Sequence, residues 1–264
     1  MFKHSTKFFY ISKKSFTQVL FLCTALLLSL STHATVVRFS TNVGDIDVNL
    51  YDELTPITVE NFLSYVTNQA YDNSYIHRSI PGFIIQGGGF TYTAETGIEA
   101  INEAASITNE PFFSNIRGTI AMAKIGSQPD SATSQWFFNL ADNAENLDNQ
   151  NSGFTVFGEV LFENRDIIDA IEDIDTFSSV PLRNYTIEDA NNAVEPTEEN
   201  FVIINNITII DDTTNTLGDV IPTATTATTE TETPEVSSGG GGSTSIFFIT
   251  ALFSLCILRL RNTL

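Results

Sequence analysis

Early in the chain, two stretches alternate apolar with polar positions: Val36-Val37-Arg38-Phe39-Ser40-Thr41 and Ile46-Asp47-Val48-Asn49-Leu50-Tyr51. A period of two marks half-buried strands. Asn42-Val43-Gly44-Asp45 between them supplies turn residues, so the pair reads as a hairpin. After Thr55-Pro56 the period changes. Val59, Phe62, Leu63 and Val66 recur at helical spacing, and Pro56 suits a helix start because an N–H is unneeded there. Short apolar runs at 82–86, 119–123, 135–139, 155–160 and 201–209 predict further strands. A second helix fits 164–173, with Ile167, Ile168 and Ile171 on one side. Many short strands with two helices predict a mainly β domain, a closed antiparallel barrel capped by those helices.

The two ends read as addresses rather than fold. Residues 1–15 hold Lys3, Lys7, Lys13 and Lys14, residues 16–30 are apolar, and Thr32-His33-Ala34 offers small residues around a cut after Ala34. That order predicts a secretory signal peptide over 1–34. At the other end, Ser237-Ser238-Gly239-Gly240-Gly241-Gly242-Ser243 precedes an apolar run from Ile246 to Leu258, then Arg259 and Arg261. The run falls short of the ~20 residues that span a bilayer. This end resembles the GlyGly-CTERM sorting tails of some Gram-negative bacteria, which a rhomboid-like protease cuts near the glycines; the plainer reading is a single-pass anchor. Residues 246–264 are therefore a sorting or anchor segment with transient membrane contact. Residues 212–245, rich in Thr and Gly, read as a disordered linker. The folded domain is 35–211. It would be exported through the Sec pathway and be periplasmic, cell-surface or secreted.

Charge and cysteine narrow the function classes. The 264 residues carry 12 Lys+Arg against 32 Asp+Glu, a net of −20. Without the four lysines at the start and two arginines at the end, six basic residues face all 32 acids, a net of −26. Such a body stays soluble, repels anionic membranes and offers no nucleic-acid surface. Cys23 and Cys256 both lie in the terminal segments, so the domain has neither a disulfide framework nor a thiolate zinc site.

Acid–base and nucleophilic chemistry is poorly supplied. His77 is the single histidine of the domain, no Gly-x-Ser-x-Gly elbow occurs, and His77 reads as a packing residue. Asp148, Gln150, Ser152, Gly153 and Glu159 match a calcium-loop template only in part. Gly87-Gly88-Gly89 follows a strand without a helix after it, which suits a tight bend rather than a phosphate cradle. No cofactor is implied. The informative block is His77-Arg78-Ser79-Ile80-Pro81-Gly82-Phe83-Ile84-Ile85-Gln86-Gly87-Gly88-Gly89-Phe90, where Arg78, Phe83 and Gln86 could converge from neighbouring strands. A cation, an aromatic ring and an amide suit a peptide carbonyl beside an apolar ring.

With that block, an ordered series resembles the cyclophilin family of peptidyl-prolyl isomerases in its short bacterial form. The series runs from Val36 to Leu50, through Thr58-Val59-Glu60-Asn61-Phe62 and Gly118-Thr119-Ile120-Ala121-Met122-Ala123. It continues with Ser131-Ala132-Thr133-Ser134-Gln135-Trp136-Phe137-Phe138-Asn139, Leu147-Asp148 and Phe154-Thr155-Val156-Phe157-Gly158. The resemblance implies a barrel of about eight strands and isomerisation of Xaa-Pro segments of exported polypeptides by a monomer. It implies catalytic places for Arg78, Phe83 and Gln86, and substrate-binding places for Met122, Ala123, Gln135, Phe137, Leu147 and Phe154. Two positions depart from the family. Asn146 stands where Trp or Phe is usual, which implies weak cyclosporin binding, and Phe154 stands where His or Tyr is common. The alternative reading is a catalytically weak proline-peptide-binding or chaperone module on the cell surface.

Overall fold

The computed structural model describes residues 35–212, 222–225 and 227. The expected signal peptide, the apolar tail and both cysteines lie outside the described residues. β1 (Val36–Thr41) and β2 (Asp45–Leu50) form the expected hairpin, with Val37 opposite Val48 and Phe39 opposite Ile46. These four side chains are buried, as their alternate positions require. The turn is tied by Thr41, whose hydroxyl oxygen accepts from the N–H groups of Val43 and Gly44. α1 (Pro56–Thr67) follows. Its first turn is completed from a distance, because the buried Glu110 carboxylate accepts from Thr58 N–H at 2.9 Å and from the Thr58 hydroxyl at 2.7 Å. A carboxylate there satisfies orphan donors and complements the helix dipole.

The remaining elements run in chain order. β3 (Ser74–Tyr75), β4 (Arg78–Ile80), β5 (Ile84–Gly87), β6 (Phe90–Thr93), β7 (Gly97–Ala100), β8 (Thr119–Met122) and β9 (Trp136–Asn139) precede the short α2 (Ala144–Leu147). Then come β10 (Val156–Val160), α3 (Arg165–Glu172), β11 (Thr176–Phe177), β12 (Val180–Pro181), α4 (Ile187–Asn191) and β13 (Ile203–Asp211). The main sheet is ordered β4-β5-β9-β8-β10-β2-β1-β13-β3-β6-β7, and its pairs are antiparallel.

The sheet closes on itself through residues 74–80. Ser74 and Tyr75 pair with β13, and Ile76 N–H donates to Val202 O at 3.0 Å. His77 N–H then donates to Gln86 O at 3.1 Å, and Arg78–Ile80 pair with β5. One stretch thus joins both edges. With β3 and β4 counted as one stave, the barrel has the eight expected strands. The β6–β7 hairpin extends outside it, and β11–β12 form a separate two-stranded sheet.

The barrel interior is aromatic. Phe39 meets Trp136 edge-on at 5.1 Å, Phe138 at 5.5 Å and Phe62 of α1 at 6.0 Å. Burial of each such ring contributes roughly 1.5–3 kcal/mol. α3 packs against β2 with Ile168 and Ile171 buried in the same core as Phe62, on the side the sequence pattern predicts.

Gly87 and Gly88 form the indole's seat. A Cβ on Gly87 would lie 2.8 Å from the Trp136 ring. At Gly88, φ is +76° and a Cβ would meet Ser134 O at 2.6 Å and Trp136 Nε1 at 2.8 Å. Gly88→Ala is expected to cost about 2–4 kcal/mol, the sum of left-handed backbone strain and overpacking. Urea unfolding checks this, and an unchanged midpoint would refute it.

Candidate active site

Strand register assembles the site. Arg78 pairs with Gln86, Gln86 with Phe137, and Phe137 with Ala121, so β4, β5, β9 and β8 present these residues in one row. The alternate positions, Ile85, Trp136, Phe138, Ile120 and Met122, fill the barrel interior. Arg78 Nη1 donates to Gln86 Oε1 at 3.2 Å, and Gln86 Nε2 donates to Gln135 Oε1 at 2.9 Å. The chain Arg78–Gln86–Gln135 thereby fixes the guanidinium from one side. Among the described residues, Arg38, Arg117 and Arg165 lie beside carboxylates, whereas Arg78 has none within salt-bridge distance. Partial burial lowers its pKa from the usual arginine value.

Beside this row lies an apolar wall. Phe83, Ala123, Phe137, Leu147 and Phe154 pack in one cluster with Ile84, Ala121 and Val156. Phe83, Ala123 and Phe154 are only part-buried, so the cluster reaches the surface. The Phe154 ring meets Phe137 edge-on at 5.9 Å. It also lies under the Lys124 ammonium at 4.9 Å, and Lys124 Nζ donates to Asn151 O at 2.9 Å and Gly153 O at 2.5 Å. Burial pushes the Lys124 pKa down to about 8, with Asp130 pulling the other way. Phe154 lacks a polar tip, and a cation–π contact holds it instead.

Of the nine residues assigned from sequence, the structure brings eight together and places Met122 elsewhere. Met122 is fully buried and packs with Ile120 and Trp136 inside the barrel. A one-residue step along β8 reverses the face, so Ala121 and Ala123 belong to the wall and Met122 to the core. Asn146 is exposed at the edge of α2 and bonded to Gln150.

The sequence did not reveal what supports this wall. Asn115, Asn139, Asn143 and Asp148 form a buried polar network beneath it. Asn115 donates its N–H and its side-chain amide to Asp148 Oδ1, both at 2.9 Å, and the amide also to Phe154 O at 3.1 Å. Asn143 Nδ2 donates to Phe83 O and to Asn139 Oδ1, both at 2.8 Å. Asn139 Nδ2 reaches Asn115 Oδ1 at 3.2 Å and Thr119 Oγ1 at 2.9 Å. Asp148 is thus a girder of the wall. The readable signal was an asparagine closing the apolar run Trp136-Phe137-Phe138, since a buried amide must find partners.

His77 sits behind the row, its ring edge-on to Phe90 at 5.2 Å. Burial, and then the Arg78 charge, push its pKa down to about 4, against a smaller opposing effect of Gln135. The neutral ring is therefore favoured on folding. Its contribution is full above the ordinary value of 6.5 and is lost as pH falls toward 4. Relative to His77→Gln, the parent is expected to lose about 2 kcal/mol of unfolding free energy between pH 7 and 5. Denaturant titrations of the pair test this, and a pH-independent difference would refute it.

Comparison with known proteins agrees with this geometry. Residues 36–192 match the model of the cyclophilin type peptidyl-prolyl cis-trans isomerase/CLD family. The chain is 44% identical over 155 residues to a peptidyl-prolyl cis-trans isomerase of Acinetobacter baylyi, covering 56% of this chain and 79% of that protein. It is 40% identical over 166 residues to peptidyl-prolyl cis-trans isomerase B of Escherichia coli, covering 58% of this chain and 96% of that protein. A cyclophilin type isomerase from Cryptosporidium parvum shares the fold, with a TM-score of 0.51 at 24% identity over 68% of this chain and 99% of that one. A family match over most of the folded body, on a closed barrel that carries an arginine beside an apolar wall, makes the chain a member of the cyclophilin-type peptidyl-prolyl cis-trans isomerase family.

Proposed function

We propose that this isomerase acts on Xaa-Pro segments of exported polypeptides and that Arg78 stabilises the twisted prolyl amide, with no covalent step and no cofactor. The observation that carries the reading is Arg78 itself. It is the row's one cation, tied to Gln86 and left without a carboxylate in a strongly acidic protein.

Rotation about a prolyl amide crosses ~18–20 kcal/mol because it breaks amide resonance. In the twisted state the proline nitrogen becomes pyramidal and gains a lone pair. A guanidinium can donate to that lone pair, which the planar amide offers poorly, so the transition state is bound better than the ground state. Uncatalysed exchange takes tens to hundreds of seconds. Millisecond turnover then requires about five decades, or ~7 kcal/mol. Phe83, Phe137, Leu147 and Phe154 would hold the proline ring while Gln86, Gln135 and the backbone at Ala123 steady the flanking peptide. Asn146 offers a polar, exposed rim in place of a ring, which supports weak cyclosporin binding.

NMR exchange spectroscopy of an Ala-Pro peptide with the purified protein tests the assignment. Arg78→Ala is expected to lose two to three decades of rate, about 3–4 kcal/mol, and Arg78→Lys to recover little of it because Lys lacks the planar fork. Full acceleration by Arg78→Ala would remove Arg78 from the mechanism. No acceleration by the folded parent would favour the proline-binding module.

The ends support an exported protein. A basic start, an apolar run and small residues precede the domain, and both cysteines lie outside it. A monomeric acidic body would then be delivered outside the cytoplasm, with its tail touching the membrane before processing. Intact mass of the exported protein is expected to show loss of residues 1–34 and of the tail beyond the glycines. Retention of Ile246 through Leu264 would overturn the sorting reading in favour of an anchor.

A further inference from the structure

One stretch of the linker lies against the folded body. Residues 223–225 run antiparallel to residues 112–114, with Ala224 opposite Phe113. Ser114 N–H donates to Thr223 O at 2.8 Å, Thr225 N–H donates to Phe112 O at 2.9 Å, and the Ser114 hydroxyl donates to Ala224 O at 3.1 Å. This is strand addition, in which backbone groups supply the attraction. Pro222 precedes the first bond, where its missing N–H leaves nothing unpaired.

The edge that receives this segment leads into the pocket wall. Phe113 packs on Tyr51 at 5.6 Å, in the same cluster as Leu147 and Phe154. The next residue, Asn115, holds Asp148 and Phe154 O, and its own carbonyl accepts from Asn143 N–H at 2.8 Å. On the other side, Asn109 Nδ2 donates to the carbonyls of Ser152 and Gly153, both at 2.9 Å. Pro111 lies so close to Gly153 that a Cβ there would meet it at 2.8 Å. Residues 109–115 are therefore the outer support of the 148–154 loop, and the linker is layered upon them.

We propose that residues 222–225 are a detachable brace of the proline pocket: docked on residues 112–114 they hold the wall that carries Leu147 and Phe154, and when drawn away they loosen it and weaken peptide binding. Three hydrogen bonds, each shifting an equilibrium about fivefold, are enough to bias the wall and few enough to open. The segment lies between the body and the tail, so whatever holds the tail can act on the pocket. This inference rests on the isomerase reading only for what the pocket binds.

The test is Thr225→Pro in the full protein, which deletes the N–H that Phe112 O accepts, beside Thr225→Ala, which keeps it. Hydrogen–deuterium exchange and peptide kinetics are read together. Thr225→Pro is expected to speed exchange at Ser114 about fivefold or more. It should also speed exchange at Gly153 and Phe154 and raise KM several-fold at little change in kcat, while Thr225→Ala matches the parent. Unchanged exchange at Ser114 would overturn the docking. Faster exchange at Ser114 alone, with Gly153, Phe154 and KM unmoved, would overturn the coupling. Exchange needs no turnover, so it fails separately from the catalytic assignment.

Discussion

Asn115 and Asn143 each serve two segments at once, and the apolar wall depends on that sharing. Asn115 bonds Asp148 behind Leu147 and the carbonyl of Phe154. Asn143 bonds the carbonyl of Phe83 from the other direction. The Phe83 carbonyl also accepts from Leu140 N–H at 2.9 Å, whereas the Phe154 carbonyl takes its bond from the Asn115 amide. A buried carbonyl left unpaired costs about 1–3 kcal/mol, whereas each completed bond contributes only about 1. The network therefore stabilises the molecule less than it restricts it: few other arrangements of the three segments complete these bonds. An all-apolar support of equal volume would hold the same surface with less definition of where Phe83 and Phe154 stand.

The charge distribution follows a similar division. Acids outnumber bases heavily, and carboxylates take up three of the arginines among the described residues. Arg38 forks onto Asp47 across β1 and β2, and Arg117 reaches Asp169 of α3. Arg78 instead donates to the Gln86 amide oxygen. An amide partner fixes direction without neutralising charge, so the guanidinium keeps its charge. Its partial burial strengthens the field of that charge, since an unsolvated cation acts through a lower dielectric. Burial, and then the Arg78 charge, keep the neighbouring His77 neutral, which leaves Arg78 the one cation there.

Much of this was legible in sequence, for identifiable reasons. β1 and β2 carry enough alternation to be read alone, β10 is a short apolar run, and α1 and α3 carry the helical period. The aromatic run Trp136-Phe137-Phe138 predicts a strand, and the structure buries both of its faces. What stayed hidden depends on partners distant in the chain. β3 is two residues long and exists because β13 pairs with it. α1 is capped by Glu110, 52 residues away. Met122 was assigned to the pocket by resemblance, yet strand parity sends it inward. α4 did carry a local signal, the Thr186-to-Asp189 capping box, but five residues give no period to support it.

The placement of Arg78 is inseparable from barrel closure. Residues 74–76 belong to β13 through their backbone, and residues 78–80 belong to β5. His77 is the change-over, its N–H already donating to Gln86 O. A chain that must satisfy both edges has no freedom to slide, because a shift of one residue would send Arg78 into the barrel and Ile85's neighbours out of it. The guanidinium thus rides on the seam whose register is set twice, once from each edge. Catalysis by hydrogen bonding alone gains only what correct placement supplies. A fold that closes beside Arg78 fixes the placement of that side chain with the same bonds that close the barrel, and leaves only the loop carrying Leu147 and Phe154 to be steadied separately.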